Sequence, residues 1–474
     1  MQFNSYSYLV LLAAAVGIFW LLPIALRRWY VLALSVAFYA SWTWTYAALP
    51  FLICAGVFLC ARKMLSSPQC ARSAMWTGTL FALSVLVFFK YRQFLVDNIS
   101  ATLQLFGQSP VRAAFAVGLP LGLSFYTFET ISYLIDTRQG RVKKVSFQDL
   151  CLFVTFWPHL IAGPIVRVRE LVPQLGFKKK FDVNMLIAGL DRLIWGLVQK
   201  NLIANNLAPW VDMGFLPQAA SANTTVDNWF FAFAFGLEVY FDFAAYSNMA
   251  IGAAWLIGIT LPENFNYPYH AGSPTDFWSR WHMTLSRWIR DYLFFPVSAR
   301  FQRNPVALSI SLVGTMALVG LWHGAGWGFV LWGVLHGVYL VLFRIWERAG
   351  RSFRALHTSR VSPAVLRVLT VLAVMAAWIP FRAATLRQAL VMLRSLVIPH
   401  GLRPSYSIDF YLVTLLVMLF VLMEPMLAAW LRAMEKRVVS PANLLLLRPA
   451  MYACGLLLFL IFDDRDTQFI YFQF

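Results

Sequence analysis

The chain has 474 residues, of which 60% are hydrophobic and 13% are charged, and its formal net charge is +18. Soluble domains carry about 25% charged residues, so this composition excludes an ordinary soluble enzyme and predicts an integral membrane protein. The basic residues fall mostly in loops between apolar runs, which favours membrane topology over nucleic-acid binding. The five cysteines show neither the spacing of metal ligands nor a disulfide framework.

Apolar runs recur along the whole chain, and a length of twenty residues per crossing predicts about eleven spans or half-spans. No stretch has the composition of a separate soluble domain. We therefore predict one membrane domain over residues 1–474, with amino-terminal helices (1–145), a catalytic core (146–345) and carboxy-terminal helices (346–474).

The two ends of the chain predict its orientation. No Lys or Arg precedes the first apolar run, Tyr8–Leu26, and Arg27 and Arg28 follow it. A signal peptide would carry its positive charge first, so this run is predicted to be a retained span that starts outside the cytoplasm. The last predicted span, Pro449–Phe462, leads to aspartates within residues 463–466. Both termini are thus expected outside the cytoplasm.

Two segments depart from simple crossings, and one later span has a predicted end. Phe94–Phe106 is amphipathic and is predicted to lie in the outer interface. Phe147–Ile165 is short and interrupted at Pro158, which predicts a re-entrant or discontinuous helix packed inside protein. A later span, Phe410–Met423, is predicted to end at Glu424–Pro425.

Two acidic residues, Glu238 and Asp242, lie one helical turn apart in a long apolar stretch and share a helix face. They could orient a basic partner or simply pair with arginine residues. We favour the structural role, because buried charges are usually paired.

The stretch from Asn304 to Phe343 contains no Asp, Glu, Lys or Arg, which is enough apolar chain for two membrane crossings. His323 lies near its middle, between Trp322 and Gly324. A histidine at membrane depth is costly unless it is paired or faces a water-filled cavity. It can exchange a proton near neutral pH, so it is the first candidate for a general base. The alternative is a structural histidine that bonds carbonyl groups exposed at a helix break.

An amphipathic helix is predicted just before this stretch. Ser273 is placed as its N-cap, with Pro274 in the first turn and Asp276 three residues after the cap. Continued to Leu293, the helix gathers its aromatic residues in one arc and its arginines in the other, which is typical of a membrane interface or a funnel floor. His282 falls in the apolar arc. It is either a second active-site histidine or an interfacial histidine that bonds a neighbouring carbonyl.

Three other histidines, His159, His270 and His336, have the same two interpretations, and the structural one is favoured. A metal site needs ligands clustered at fixed spacing, and no such pattern occurs in the sequence. We therefore predict no metal site.

Several blocks of sequence resemble the membrane-bound O-acyltransferase family, and within it the branch of bacterial alginate O-acetyltransferase membrane subunits. They occur in one order over most of the chain, at residues 156–165, 240–247, 262–269, 277–282, 320–324 and 469–474. One departure is Ala244-Ala245, where relatives often have Ser-Gly.

The resemblance implies an all-α polytopic fold, in which a ring of tilted helices with re-entrant and interfacial helices surrounds a central tunnel. It also implies that His323 matches the family's essential histidine and His282 the second histidine of this branch, where many other relatives carry Asn. The further residues implied in substrate or donor binding are Asn264, Trp278, Arg280, Trp281, Arg287, Tyr246 and Ser247.

The activity implied is transfer of an acetyl group from cytoplasmic acetyl-CoA towards an extracytoplasmic hydroxyl, with no tightly bound cofactor. The final substrate would be alginate, cellulose, peptidoglycan or another exopolysaccharide. The protein would lie in the bacterial inner membrane and act with a periplasmic SGNH-type acetyltransferase.

In this hypothesis His323 is the general base, and His282 holds the donor carbonyl or the tautomer of His323. Arg280, Arg287 and Arg290 either attract the donor phosphates or serve topology alone. An acyl-histidine relay is also compatible with the pattern. Two alternatives remain open at this stage: D-alanyl transfer to a cell-wall polymer, and a transporter or flippase with a polar cavity.

Overall fold

Helices form all the regular structure in the described part of the chain, and no strand occurs there. The computed structural model describes residues 2–111, 117–352, 362–438, 441–462 and 469–470. Six of the helices within these ranges are long and apolar enough to cross a membrane. The chain is therefore an all-helical membrane protein, as its composition predicts.

The helices follow one another closely along the chain. Those of the amino-terminal part are α1 (Tyr6–Leu21), α2 (Ile24–Thr43), α3 (Leu49–Ser66), α4 (Ala71–Leu86), α5 (Arg92–Leu105), α6 (Leu123–Arg138), α7 (Phe147–Thr155), α8 (Val168–Leu171), α9 (Val183–Val198), α10 (Asn205–Gly214) and α11 (Ala219–Ala222). The later ones are α12 (Thr225–Leu256), α13 (Pro274–Arg280), α14 (Met283–Ile289), α15 (Phe295–Ser298), α16 (Pro305–His323), α17 (Trp327–Ser352), α18 (Pro363–Arg382), α19 (Leu386–Val397), α20 (Ile408–Val438) and α21 (Pro441–Phe462).

These helices form two compact units. The first comprises Met1–Leu193 and Tyr246–Pro262, and the second comprises Ile194–Ala245 and Glu263–Phe474. Helices α9 and α12 each contribute to both units. Both candidate active-site histidines belong to the second unit.

The first apolar run contains the end of one helix and the start of another, so its predicted boundaries were wrong. Helix α1 ends at Leu21 and α2 begins at Ile24, because Pro23 has no N–H to continue a helix. Arg27 consequently lies inside α2 and is buried. Its guanidinium donates to the carbonyl oxygens of Phe177 and Lys179, at 3.4 and 3.3 Å. The residue therefore holds a packed segment together and does not mark a loop.

Two other boundaries also differ from prediction. The amphipathic segment 94–106 is not a separate helix, since α4 and α5 join through a π-helical turn at Val87–Tyr91 into one continuous helix, and its place in the outer interface stays a prediction. Helix α20 does not end at Glu424 but runs through Pro425. The Tyr240 hydroxyl donates to Glu424 Oε2 at 3.2 Å, which gives the carboxyl group a partner within the helical packing. The acidic residues 463–466 lie outside the described residues.

The discontinuous helix predicted around Pro158 is confirmed. Helix α7 ends at Thr155, and the buried turns that follow contain His159. The His159 Nδ1 lies 3.0 Å from Glu129 Oε1, and Nε2 lies 3.1 Å from the Phe153 carbonyl oxygen. Buried, irregular backbone at membrane depth requires such protein partners. The structural interpretation of His159 is therefore confirmed.

The uncharged stretch forms two closely packed helices, α16 and α17, joined by the turn Gly324–Gly326. A Cβ atom on Gly320 would overlap the Phe329 carbonyl oxygen, and one on Gly333 would overlap the Met316 carbonyl oxygen. The two backbones can approach this closely only because these positions lack side chains. His323 ends α16 and is thereby held at a fixed position against α17.

Candidate active site

The imidazole of His323 is buried among aromatic rings. Its centroid lies 4.9 Å from that of Trp322, 5.1 Å from Trp332 and 5.4 Å from Phe381. Trp332 meets it nearly perpendicularly, at an interplanar angle of 86°. Such walls exclude bulk water, so charges that develop beside this imidazole are weakly screened.

His282 lies at a break between two short helices, so the continuous helix predicted from Ser273 to Leu293 was wrong. The predicted cap is confirmed, since the Asp276 N–H donates to Ser273 Oγ at 3.0 Å. Helix α13 then ends at Arg280, and His282 adopts left-handed backbone angles, with φ 41° and ψ 52°. This conformation costs about 1–3 kcal/mol for a residue other than glycine, so other contacts must hold it.

Asn264 provides those contacts. Its carbonyl oxygen accepts the Met283 N–H at 2.9 Å, across the helix break. Its Oδ1 accepts from the Thr284 hydroxyl at 2.8 Å and from the Thr284 N–H at 3.4 Å, and it lies 3.0 Å from His282 Nδ1. Because a backbone N–H can only donate, this Asn264 atom is the oxygen, and His282 Nδ1 must carry the proton. In the neutral ring, Nε2 is then the acceptor.

The Trp322 ring connects the two histidines. Its centroid lies 6.5 Å from that of His282 and 4.9 Å from that of His323. Phe243 packs edge-on against His282, at 4.6 Å and 89°. The structure thus brings the two sequence-predicted histidines to one aromatic cluster.

Three aromatic residues of this cluster were not found from the sequence: Trp332 and Phe381, whose rings contact His323, and Trp378 behind Trp332. Trp332 stacks on Trp378 at 5.6 Å. It also contacts His336, one turn later on α17, at 4.9 Å. A tryptophan and a histidine one turn apart in a span without charged residues up to Phe343 were the signal that could have identified this wall. Trp378 and Phe381, on α18, carried no such signal.

The candidate binding residues of α13 have different surroundings. Trp281 is buried in the cluster, stacked on Phe277 at 5.6 Å and 5.0 Å from Trp378. Arg280 donates through Nε to Asp276 Oδ1 at 2.7 Å. Burial would raise the pKa of Asp276, but hydrogen bonds from Arg280 and from the Gly272 N–H outweigh this and lower the pKa. Arg280 is therefore partly neutralised by a charged neighbour.

A pocket of about 370 Å³ opens beside α14 and α16. Trp278, Arg287 and Arg290 line it on one side, and Met316 and Val319 on the other. Arg287 and Arg290 are exposed there, and Arg290 Nε donates to the Asp291 carboxylate at 2.8 Å. The pocket combines apolar walls with positive charge, which suits an anionic ligand that also has an apolar part.

Tyr246 and Ser247 belong to the first unit, whereas the two candidate active-site histidines belong to the second. Tyr246 is buried there, with its ring 4.8 Å from Phe3. Asp242, in the second unit, pairs with Lys200 at 2.6 Å, which confirms its structural role but with a lysine in place of the predicted arginine. His270 Nε2 lies 2.8 Å from the Val421 carbonyl oxygen, which confirms the structural interpretation of His270.

Comparison with known proteins identifies the family. The model of the membrane-bound O-acyltransferase family matches residues 29–383, a range that includes both histidines. A probable alginate O-acetylase, AlgI, from Azotobacter vinelandii is 38% identical over 392 residues, which cover 81% of this chain and 76% of that protein. The corresponding protein of Pseudomonas aeruginosa is 35% identical over 398 residues, which cover 82% of this chain and 73% of that protein.

A peptidoglycan O-acetyltransferase from Helicobacter pylori is 34% identical over 411 residues, which cover 80% of this chain and 75% of that protein. The similarity thus extends over most of each relative and includes the segment that carries the aromatic cluster. The chain belongs to the membrane-bound O-acyltransferase family and is an O-acyltransferase.

Proposed function

We propose that this protein transfers an acetyl group from cytoplasmic acetyl-CoA to an extracytoplasmic hydroxyl, for the O-acetylation of a polysaccharide such as alginate, cellulose or peptidoglycan. The observation that carries the proposal is the position of His323, buried among aromatic rings and connected to His282 through Trp322. It is supported by relatives named for the O-acetylation of alginate and of peptidoglycan.

In the proposed reaction, a ring nitrogen of His323 removes the proton of the acceptor hydroxyl as its oxygen attacks the thioester carbonyl. The tetrahedral intermediate collapses, the C–S bond breaks, and the leaving thiolate takes the proton from the imidazolium. An oxygen ester and a free thiol result. A positioned base of this kind contributes about 10²- to 10⁴-fold in rate.

The geometry of His282 refines its proposed role. Because Nδ1 is the donor to Asn264, the neutral ring offers a lone pair at Nε2 and no second N–H. The thioester carbonyl of the acyl donor can only accept a hydrogen bond. Neutral His282 has no free N–H to offer, so it is poorly suited to hold this carbonyl. We propose instead that Nε2 accepts an N–H or O–H and so orients His323 or the acceptor hydroxyl.

The wider arrangement is also part of the proposal. About eleven tilted helices, by the twenty-residue rule, would surround a tunnel that lets a donor from one compartment meet an acceptor from the other. A periplasmic SGNH-type acetyltransferase would complete the transfer. The protein would lie in the inner membrane with both termini in the periplasm. Arg287, exposed in the 370 Å³ pocket, is a better candidate for a donor phosphate than Arg280, which already contacts Asp276.

The test replaces His323 by Gln and measures the acetyl content of the exported polysaccharide at equal protein level. We expect a loss of about 10²- to 10⁴-fold, the contribution of a general base. His282→Gln should cause a smaller loss. His400→Gln is the matched control, because that histidine is exposed and its backbone N–H and carbonyl make the hydrogen bonds to Thr225.

A second measurement follows label from [¹⁴C]acetyl-CoA into a co-purified partner or polysaccharide. Its appearance with wild-type protein and its absence with His323→Gln would support acetyl transfer from this donor. Acetylation retained by His323→Gln would contradict the role of the histidine. Label transferred from activated D-alanine but not from acetyl-CoA would replace acetyl transfer by D-alanyl transfer.

A further inference from the structure

The 370 Å³ pocket runs along the helix faces that lead to the histidines. Val319 and Met316, in its wall, lie one and two helical turns before His323 on α16. Leu340, also in the wall, lies one turn after His336 on α17. His323 itself does not line the pocket. Something must therefore separate the pocket from the histidine cluster.

The indole of Trp278 lies at that boundary. It lines the pocket. It also contacts the ring of His336 at 5.2 Å and that of Trp332 at 5.8 Å. Trp332 in turn contacts His323 at 5.1 Å. The Trp278 and Trp332 rings therefore form a continuous series of ring contacts from the pocket to His323.

Ring contacts hold this indole in place. The Nε1 atom of Trp278 is buried and has no hydrogen-bond partner among the described residues. By contrast, Nε1 of Trp20 donates to the Leu256 carbonyl oxygen at 2.8 Å. Rotation or truncation of Trp278 thus breaks no hydrogen bond and mainly changes the space beside the histidine cluster.

We propose that Trp278 determines the specificity of acyl transfer, by closing the inner end of the pocket so that only a short acyl group fits between it and His323. The inference rests on the proposed acyl transfer at His323. The donor arm lies in the pocket, with Arg287 near its phosphates, and its thioester end reaches Trp278. Each further methylene of the acyl chain then competes with the indole for space. In apolar pockets one methylene changes selectivity about 10- to 200-fold.

The experiment compares acyl transfer from acetyl-CoA, butyryl-CoA and hexanoyl-CoA by the full-length protein in lipid nanodiscs. Wild type should prefer acetyl. Trp278→Ala should raise the ratio of butyryl to acetyl transfer by at least tenfold, and Trp278→Phe should give an intermediate ratio. Trp346→Ala is the matched control, because Trp346 is exposed on the same helix as His336 and does not line the pocket. A ratio unchanged in Trp278→Ala and Trp278→Phe, with acetyl transfer retained, would overturn the proposal.

A second measurement does not depend on activity. Diethylpyrocarbonate modifies accessible imidazoles, and mass spectrometry gives the rate at His323. We expect a rate at least severalfold higher in Trp278→Ala than in wild type and in Trp346→Ala. An unchanged modification rate at His323 would contradict the proposal that Trp278 closes the pocket. This holds even if a variant no longer transfers acetyl groups. If wild type transfers no acyl group from any of the three thioesters, the proposed function fails, and the modification rate still decides whether Trp278 closes the pocket.

Discussion

At the scale of single residues, the side chain of Asn264 organises one half of the site. Its Oδ1 accepts from Thr284 and fixes the proton of His282 on Nδ1, while its backbone carbonyl bridges the helix break. The left-handed conformation of His282 is thus maintained by a residue eighteen positions earlier. Asn264 is therefore a positioning residue, because it acts through the imidazole.

We predict that Asn264→Ala destabilises the protein by about 1–3 kcal/mol, because buried donors of His282 and Thr284 lose an acceptor. The transferase rate should also fall, since the tautomer of His282 is no longer fixed. Asn264→Asp keeps an acceptor oxygen and should recover much of the activity. Thermal unfolding in detergent and the initial rate of acetyl transfer measure the two effects. Asn266→Ala, at an exposed position two residues later, is the control and should change neither. A wild-type rate in Asn264→Ala would show that the tautomer is immaterial.

At the scale of elements, the pair α16–α17 positions His323. The two helices meet at glycines, where an added methyl group would overlap the backbone of the opposing helix. The same contact determines how far Trp332, on α17, lies from His323, at the end of α16. The spacing of the two helices therefore also determines the position of the aromatic wall beside His323.

We predict that Gly333→Ala separates α16 from α17, because the new Cβ atom would overlap the Met316 carbonyl oxygen. Overpacking of this kind lowers the free energy of unfolding by about 1–3 kcal/mol. The acetyl transfer rate should fall as Trp332 moves away from His323. Gly314→Ala is a close control: it lies on α16, and its Cβ atom would have no atom within 4 Å. Equal stability and activity of both variants would contradict the close-packing argument.

At the scale of the whole molecule, a buried ion pair in the second unit holds together segments that are far apart in the chain. Lys200 Nζ lies 2.6 Å from Asp242 Oδ1, and both side chains are almost fully buried. Asp242 Oδ2 also accepts the Ile470 N–H at 2.8 Å, across 228 residues. The Lys200 ammonium lies 4.5 Å from the ring centroid of Phe469. Residues 469–470 are thereby anchored to α12.

We predict that Lys200→Met lowers the free energy of unfolding by about 3–5 kcal/mol, because Asp242 is left as a buried charge without its partner. The double variant Lys200→Met, Asp242→Asn should be more stable than the single variant, since it removes the second charge and keeps an acceptor for Ile470. Unfolding midpoints of the four proteins in a double-mutant cycle measure the coupling. Asp212→Ala removes the exposed ion pair with Arg382 and should lower the free energy of unfolding by no more than about 1 kcal/mol. If the double variant were as unstable as Lys200→Met, buried charge would not be the cause.

Local features of the sequence were sufficient for several parts of the structure. Low charge predicts a membrane protein, the uncharged stretch 304–343 predicts α16 and α17, and Ser273 and Asp276 predict a helix start. The break near Pro158 is predicted in the same way. These features depend on composition and on the backbone preferences of neighbouring residues, so a short segment of sequence is enough to predict each of them.

Other features were decided only by the tertiary structure. The helix break at His282 depends on Asn264, the wall around His323 depends on Trp378 and Phe381 from α18, and the burial of Arg27 depends on carbonyl groups about 150 residues away. By itself, the sequence determined a helical membrane protein with two notable histidines. The fold decided that these histidines share one aromatic cluster, because side chains distant in the chain become neighbours only when the helices pack.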